Sequence, residues 1–151
     1  CDGAYTKNDI VNMERNIVSA LDGEIASATE VLYLGRLVCA NDSDGQQRSL
    51  TLYLLELALM DIGFISHSPS HLVSAAILLT NQLLGTEEVW PSSMVHHSQH
   101  QEDNLRGCAE DMRDVLEAAP RSALQVVRRK YQAPKKHFVA DMEFGPRTVR
   151  V

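Results

Sequence analysis

The stretch Thr51–Gly85, TLYLLELALMDIGFISHSPSHLVSAAILLTNQLLG, constrains the fold of this 151-residue chain more than any other. Two strongly apolar segments meet there across a short hinge. In the first, Leu52, Leu55, Leu59 and Ile62 recur at helical spacing, and Leu54, Leu57 and Ala58 widen the stripe. The hinge runs through Gly63 and Phe64 to Ser68. Ser68 is placed to cap the second segment, with Pro69 at its first position, where the missing N–H costs nothing. Gly85 suits the left-handed residue that ends a helix. Between them Leu72, Ala75, Ala76, Leu79 and Leu83 face one way, while Val73, Ile77 and Leu84 extend that face until little is left for water. A helix apolar nearly all round belongs at the centre of a domain.

The flanking segments read as helices too, so the spacing predicts an all-α protein. Thr6 with Asp9 opens a helix from Lys7 to about Leu21, expected to bury Ile10, Met13, Ile17 and Leu21 before Asp22-Gly23 ends it. Ser27-Ala28-Thr29-Glu30 reads as a capping box, followed by Val31, Leu34, Leu37 and Val38. Asn41–Gly45 (NDSDG) is a turn leading into a helix from about Gln46 to Ile62. Trp90-Pro91 begins a short helix. Glu102 to about Ala118 turns Leu105, Cys108, Ala109, Met112, Val115 and Leu116 inward, and Pro120 stops it. Ser122 is expected to cap a last helix carrying Leu124, Val127 and Tyr131, which Pro134 ends; the remainder, Lys135 to Val151, has no period. From Gln46 onward this makes about five helices around the Pro69–Leu84 hub.

Charge and cysteine usage narrow the function classes. A net charge of −6 speaks against a general nucleic-acid binder and against an anionic membrane surface. No uninterrupted apolar run reaches the roughly 18 residues that span a bilayer, because Glu56, Asp61, Ser74 and Asn81 break the best candidates. Cys1, Cys39 and Cys108 are far apart and odd in number, which suits a reducing compartment rather than a disulfide framework. There is no GxSxG, no phosphate-binding glycine loop and no HExxH. A helix through HHSQH would put His96 and His100 on one face, with His97, Glu102 and Cys108 nearby, the residue types of a zinc site. Tightly spaced ligand pairs are absent, so this stretch reads as a polar connection, with neither a metal nor another cofactor expected. Arg128, Arg129, Lys130, Lys135 and Lys136 read as a solvated helix end, where cations suit the dipole.

The wording of the central block carries a resemblance. YLLELALMD, then F, PS, AA.L…LLG and WP resemble the second repeat of the cyclin box in A- and B-type mitotic cyclins. Upstream, AYTKNDIVNMERNIV resembles the last helix of the first box; downstream, HHSQHQEDNLRGCAEDM and LQVVRRKY..PK resemble the end of the second. The likeness runs from about Ala4 to Ala140 and implies a cyclin-box bundle. It implies that residues 1–25 end an N-terminal box, 26–140 form the C-terminal box, and 141–151 are an irregular tail. The chain would then start in mid-domain, as a fragment of a longer protein.

The implied function is a non-enzymatic regulatory subunit of a cyclin-dependent protein kinase in mitotic progression, found in nucleus and cytoplasm. Transcription-factor cyclin folds that bind DNA or polymerase are the alternative. By periodicity Met13 is core and Glu14 an ordinary solvated residue. The resemblance implies instead that Glu14, from the ME pair, points at the kinase, with Arg15 and Val18 on broadly the same side and Ile25 as a further apolar contact. Gly23 stands where the family has an aromatic residue, IASAT at Ile25–Thr29 replaces the usual IPSPT, and Gly107 replaces a proline.

Overall fold

A computed structural model describes residues 2–145. Those residues form seven α-helices and no strand: α1 Lys7–Ala20, α2 Glu30–Ala40, α3 Gly45–Ala58, α4 Pro69–Leu84, α5 Ser92–Ser98, α6 Glu102–Ala118 and α7 Val126–Tyr131. Short 3-10 turns lie at Ile62–Ser66, Ala119–Arg121, Pro134–Lys136 and Val139–Asp141. The all-α expectation holds, with α4 as hub.

Helices α2, α3, α5 and α6 all pack on α4, and every residue from Leu72 to Asn81 is buried. Both ends of α4 follow local chemistry. Ser68 Oγ accepts from the His71 N–H, and Pro69 takes the first position. Gly85, at φ 68°, ends the helix. Its N–H bonds to the Gln82 carbonyl while the Thr86 N–H reaches back to Asn81, the paired closure that a left-handed glycine permits. Ala76 is fully enclosed. Ala76→Leu should therefore overpack the hub and cost about 1–3 kcal/mol, read as a lower melting temperature; an unchanged melting curve would place this face of α4 outside the core.

The interior holds a few paired polar groups. Asn81, 2 % exposed, exchanges amide hydrogen bonds with Asn41 (2.8 and 3.2 Å) and donates to the Val89 carbonyl at 3.0 Å. The hydroxyls of Thr51 and Thr80 lie 3.0 Å apart between α3 and α4.

Several local expectations need correction. Helix α3 stops at Ala58, and its buried face is Leu50, Tyr53, Leu54 and Leu57 with Leu55 and Ala58. Leu59 and Ile62 are 72 % and 82 % exposed. The chain leaves the helix there, because Asp61 Oδ1 accepts the Gly63 N–H at 2.8 Å and starts a 3-10 turn. The α3 start carries a reciprocal capping box, Asp44 with Gln47, at the end of the predicted turn. The box expected at Ser27–Glu30 does not form: Thr29 is the N-cap of α2, without a side-chain bond, and Val31 is exposed. Ser122 accepts from Leu124 rather than capping a helix; α7 begins three residues beyond Ala123, and Leu124 is exposed. The stretch after Pro134 is more ordered than its lack of period suggested, with Val139 fully buried and Met142 and Phe144 packed on the core. The tail expectation for 146–151 lies outside the described residues.

The largest correction concerns α1. Its predicted box forms, with Thr6 and Asp9 bonding reciprocally, and the resulting hydrogen bonds hold the Asp9 carboxyl below its usual pKa. Yet Ile10, Met13, Ile17 and Leu21 are exposed by about half rather than buried. The reason is that α1 takes no part in the principal helix packings.

Candidate functional site

Helix α1 presents chemistry of an interaction face. Ile10, Met13 and Ile17 recur along it at three- and four-residue steps, an unpartnered apolar stripe. Glu14 and Val18, one turn apart, lie on its flank, and Ile10 precedes Glu14 by a turn. Glu14 is therefore a carboxylate set among apolar side chains. Glu14 and Arg15 are exposed, and neither enters an ion pair among the described residues. Arg15 points about 100° further round the helix. Ile25 lies beyond the left-handed turn at Asp22 and Gly23 (φ 49° and 79°) and is 66 % exposed. The structure thus groups Glu14 with Val18 and keeps Arg15 and Ile25 apart from that pair. A second apolar surface, missed in the sequence, is an open groove between α2 and α3. Leu34, Leu52, Leu55, Leu59 and Val127 line it, with Glu30 and Glu56 at its rim. Its residues come from three helices, so no single periodicity announced it.

The histidines are arranged differently from the expectation. Helix α5 ends at Ser98, and Gln99 takes a left-handed conformation (φ 63°). This separates His96 from His100. The ring beside His96 is His97, whereas His100 meets His71 edge-on, 5.2 Å between centroids. Glu102 is engaged with Arg106 at 3.2 Å. Of the anticipated set only Cys108 lies in a cluster of metal-ligand types, and its companions are His67 and His71. The spacing HSPSH carried a signal for the two histidines; Cys108, on another helix, carried none. Burial pushes the Cys108 thiol up to about 11, with Asp111 adding to the effect. Burial, then the nearby His67 and His100, lowers the pKa of His71; burial also lowers that of His100.

Three of the basic residues are engaged within the chain. Lys130 pairs with Glu56 at 2.6 Å and Arg128 with Asp141 at 3.0 Å. Lys136 lies over the Tyr131 ring, 5.1 Å from its centroid. No helix among the described residues is long and apolar enough to cross a membrane.

A helical bundle wrapped on one apolar hub, with a lightly packed first helix offering an open apolar stripe, defines an all-α domain. Residues 28–144 match the family model described as Cyclin, C-terminal domain. The chain is 36% identical over 134 residues to a G2/mitotic-specific cyclin-B of Marthasterias glacialis, a match covering 89% of this chain and 34% of that protein. It is 32% identical over 145 residues to Cyclin-A1-1 of Arabidopsis thaliana, covering 92% and 32%. It is 29% identical over 140 residues to Cyclin-A2 of Xenopus laevis, covering 92% and 34%. The chain belongs to the cyclin family, whose members are non-catalytic regulators. It spans about a third of the length of the curated relatives it matches.

Proposed function

We propose that this chain serves in the regulatory subunit of a cyclin-dependent protein kinase, of the A or B type that acts in mitosis, in nucleus and cytoplasm. In this reading residues 1–25 end the N-terminal box, 26–140 form the C-terminal box and 141–151 a tail. The observation that carries it is the open apolar stripe of α1 with the unpaired Glu14 on its flank. Membership of the cyclin family, with A- and B-type relatives, supports the same partner.

The mechanism is selection of a conformation. A protein kinase is active when a glutamate of its regulatory helix pairs with the nucleotide-binding lysine. A subunit that fits only that arrangement shifts the population by its differential affinity and no more. Such a subunit must be stiff. The close-packed bundle around α4 supplies stiffness, while Glu14, Arg15, Val18 and Ile25 make contact. The C-terminal box braces the contact region more than it touches the kinase.

The test uses a longer protein that carries both boxes. It should co-elute with a purified cyclin-dependent kinase and raise its activity, while the 151-residue chain alone binds and activates weakly. A two-box protein that leaves the kinase inactive and instead binds duplex DNA in a salt-dependent way would overturn the reading.

A further inference from the structure

The geometry points to a zinc site formed by His67, His71 and Cys108, at the junction of the α3–α4 hinge with α6. His67 directly follows the 3-10 turn of the hinge. His71 lies in the first turn of α4. Cys108 sits midway along α6 and is 4 % exposed. One ring nitrogen of each histidine and the Cys108 Sγ all lie within 4.8 Å of one another. In a tetrahedral zinc site such atoms stand about 3.3–3.7 Å apart. Closing that difference takes about an ångström of donor-atom movement together with a reorientation of the His67 ring.

Two further observations favour a ligand over a plain polar seam. Neither imidazole side chain nor the thiol makes a hydrogen bond among the described residues, so donor atoms that lie close together are left without hydrogen-bond partners. The His67 and His71 rings are stacked, 4.9 Å between centroids and 10° from parallel; because an imidazole lone pair lies in its ring plane, ligation by both requires one ring to swing out of the stack, and the half-exposed His67 is the one free to do so. Both rings are half-buried, which leaves a metal a path to the enclosed sulfur. His100 stands edge-on to His71, with its Nε2 3.4 Å from Ser70 Oγ. The fourth coordination position is left to water.

The donor set selects the metal class. One thiolate and two imidazoles suit Zn²⁺ and are poor partners for Ca²⁺ or Mg²⁺, which take oxygen. On binding, the Cys108 thiol gives its proton to solvent and two imidazole lone pairs fill the remaining protein positions. The bound ion would fasten the hinge to α6, the helix against which α4 packs. Stability then rises by mass action with free zinc. This inference stands apart from the kinase reading.

The experiment uses the whole 151-residue chain, stripped with chelator and titrated with Co²⁺ as a spectroscopic stand-in for zinc. The expected result is one equivalent bound, with the intense visible bands of tetrahedral cobalt and a near-ultraviolet thiolate-to-cobalt band. Cys108→Ser should abolish the thiolate band. His67→Gln, at a half-exposed position outside the helices, should keep native helicity by circular dichroism and weaken binding at least tenfold. Cys39→Ser and His96→Gln should leave the titration unchanged. Zinc should raise the melting temperature of the wild-type chain and not of His67→Gln. Octahedral, thiolate-free spectra, or a thiolate band that survives Cys108→Ser, would overturn the site.

Discussion

Tyr131→Ala should lower the unfolding free energy by about 3–5 kcal/mol. Tyr131 is completely enclosed and packs on Tyr53, with ring centroids 5.0 Å apart. Its hydroxyl donates to Glu56 Oε1 at 2.7 Å, and the same carboxylate accepts from Lys130 Nζ at 2.6 and 2.8 Å. One ring therefore fastens α7 to α3 through both its apolar body and its polar tip. Truncation leaves a cavity, lets Tyr53 lose its neighbour, and removes one donor from a partly buried carboxylate. Tyr131→Phe isolates the last of these and should cost about 1.5 kcal/mol, since Glu56 keeps its lysine. Burial, followed by Glu56, holds the phenol far above its usual pKa, so the hydroxyl remains a donor throughout the working pH range. Urea unfolding followed by circular dichroism measures both variants. A wild-type midpoint for the alanine variant would mean that α7 is not fastened to the core.

Glu14→Ala, placed in the two-box protein, should weaken kinase binding by about 2–5 kcal/mol, the cost of truncating one partner of a buried charged contact. The same change should leave the melting temperature of the 151-residue chain within the small range of surface substitutions, about ±0.5 kcal/mol, because Glu14 is exposed and unpaired there. The two measurements separate a contact residue from a structural one. Calorimetry gives the affinity and thermal melting gives the stability. Wild-type affinity would reduce Glu14 to a solvated glutamate; a lowered melting temperature would assign it a structural role within the chain.

How much was legible in the sequence depended on the range of the interaction. The α4 boundaries were readable because serine, proline and glycine act on the residues beside them. The inward face of α6 was readable because periodicity is local, and Leu105, Cys108, Ala109, Met112 and Leu116 are all buried. Helix α3 was misphased because a run rich in leucine permits several stripes, and only its neighbours decide which one faces inward. Periodicity found the amphipathic face of α1 but assumed it was covered, since a pattern of apolar residues does not name its partner. The meeting of His67 and His71 with Cys108, and of Glu56 with Tyr131, depends on helix packing across long sequence separations. Of the residues proposed for contact, Glu14 and Val18 fall one turn apart on α1, whereas Ile25 sits past a backbone turn that periodicity does not describe.

A helix buried on every side receives little instruction about its roll from hydrophobicity alone. Leu72 through Leu79 are buried at every azimuth and, Ser74 apart, apolar, so burial alone says little about the roll of α4 about its axis. Asn81 and Thr80 add that instruction to the shape of the packed face. The Asn81 amide meets its counterpart on Asn41 and the Val89 carbonyl at one azimuth, and Thr80 finds the Thr51 hydroxyl at another. Any other roll would strand these groups away from water at a cost of about 1–3 kcal/mol each. They act as index marks on the shaft, so that every helix seated on it inherits a single orientation.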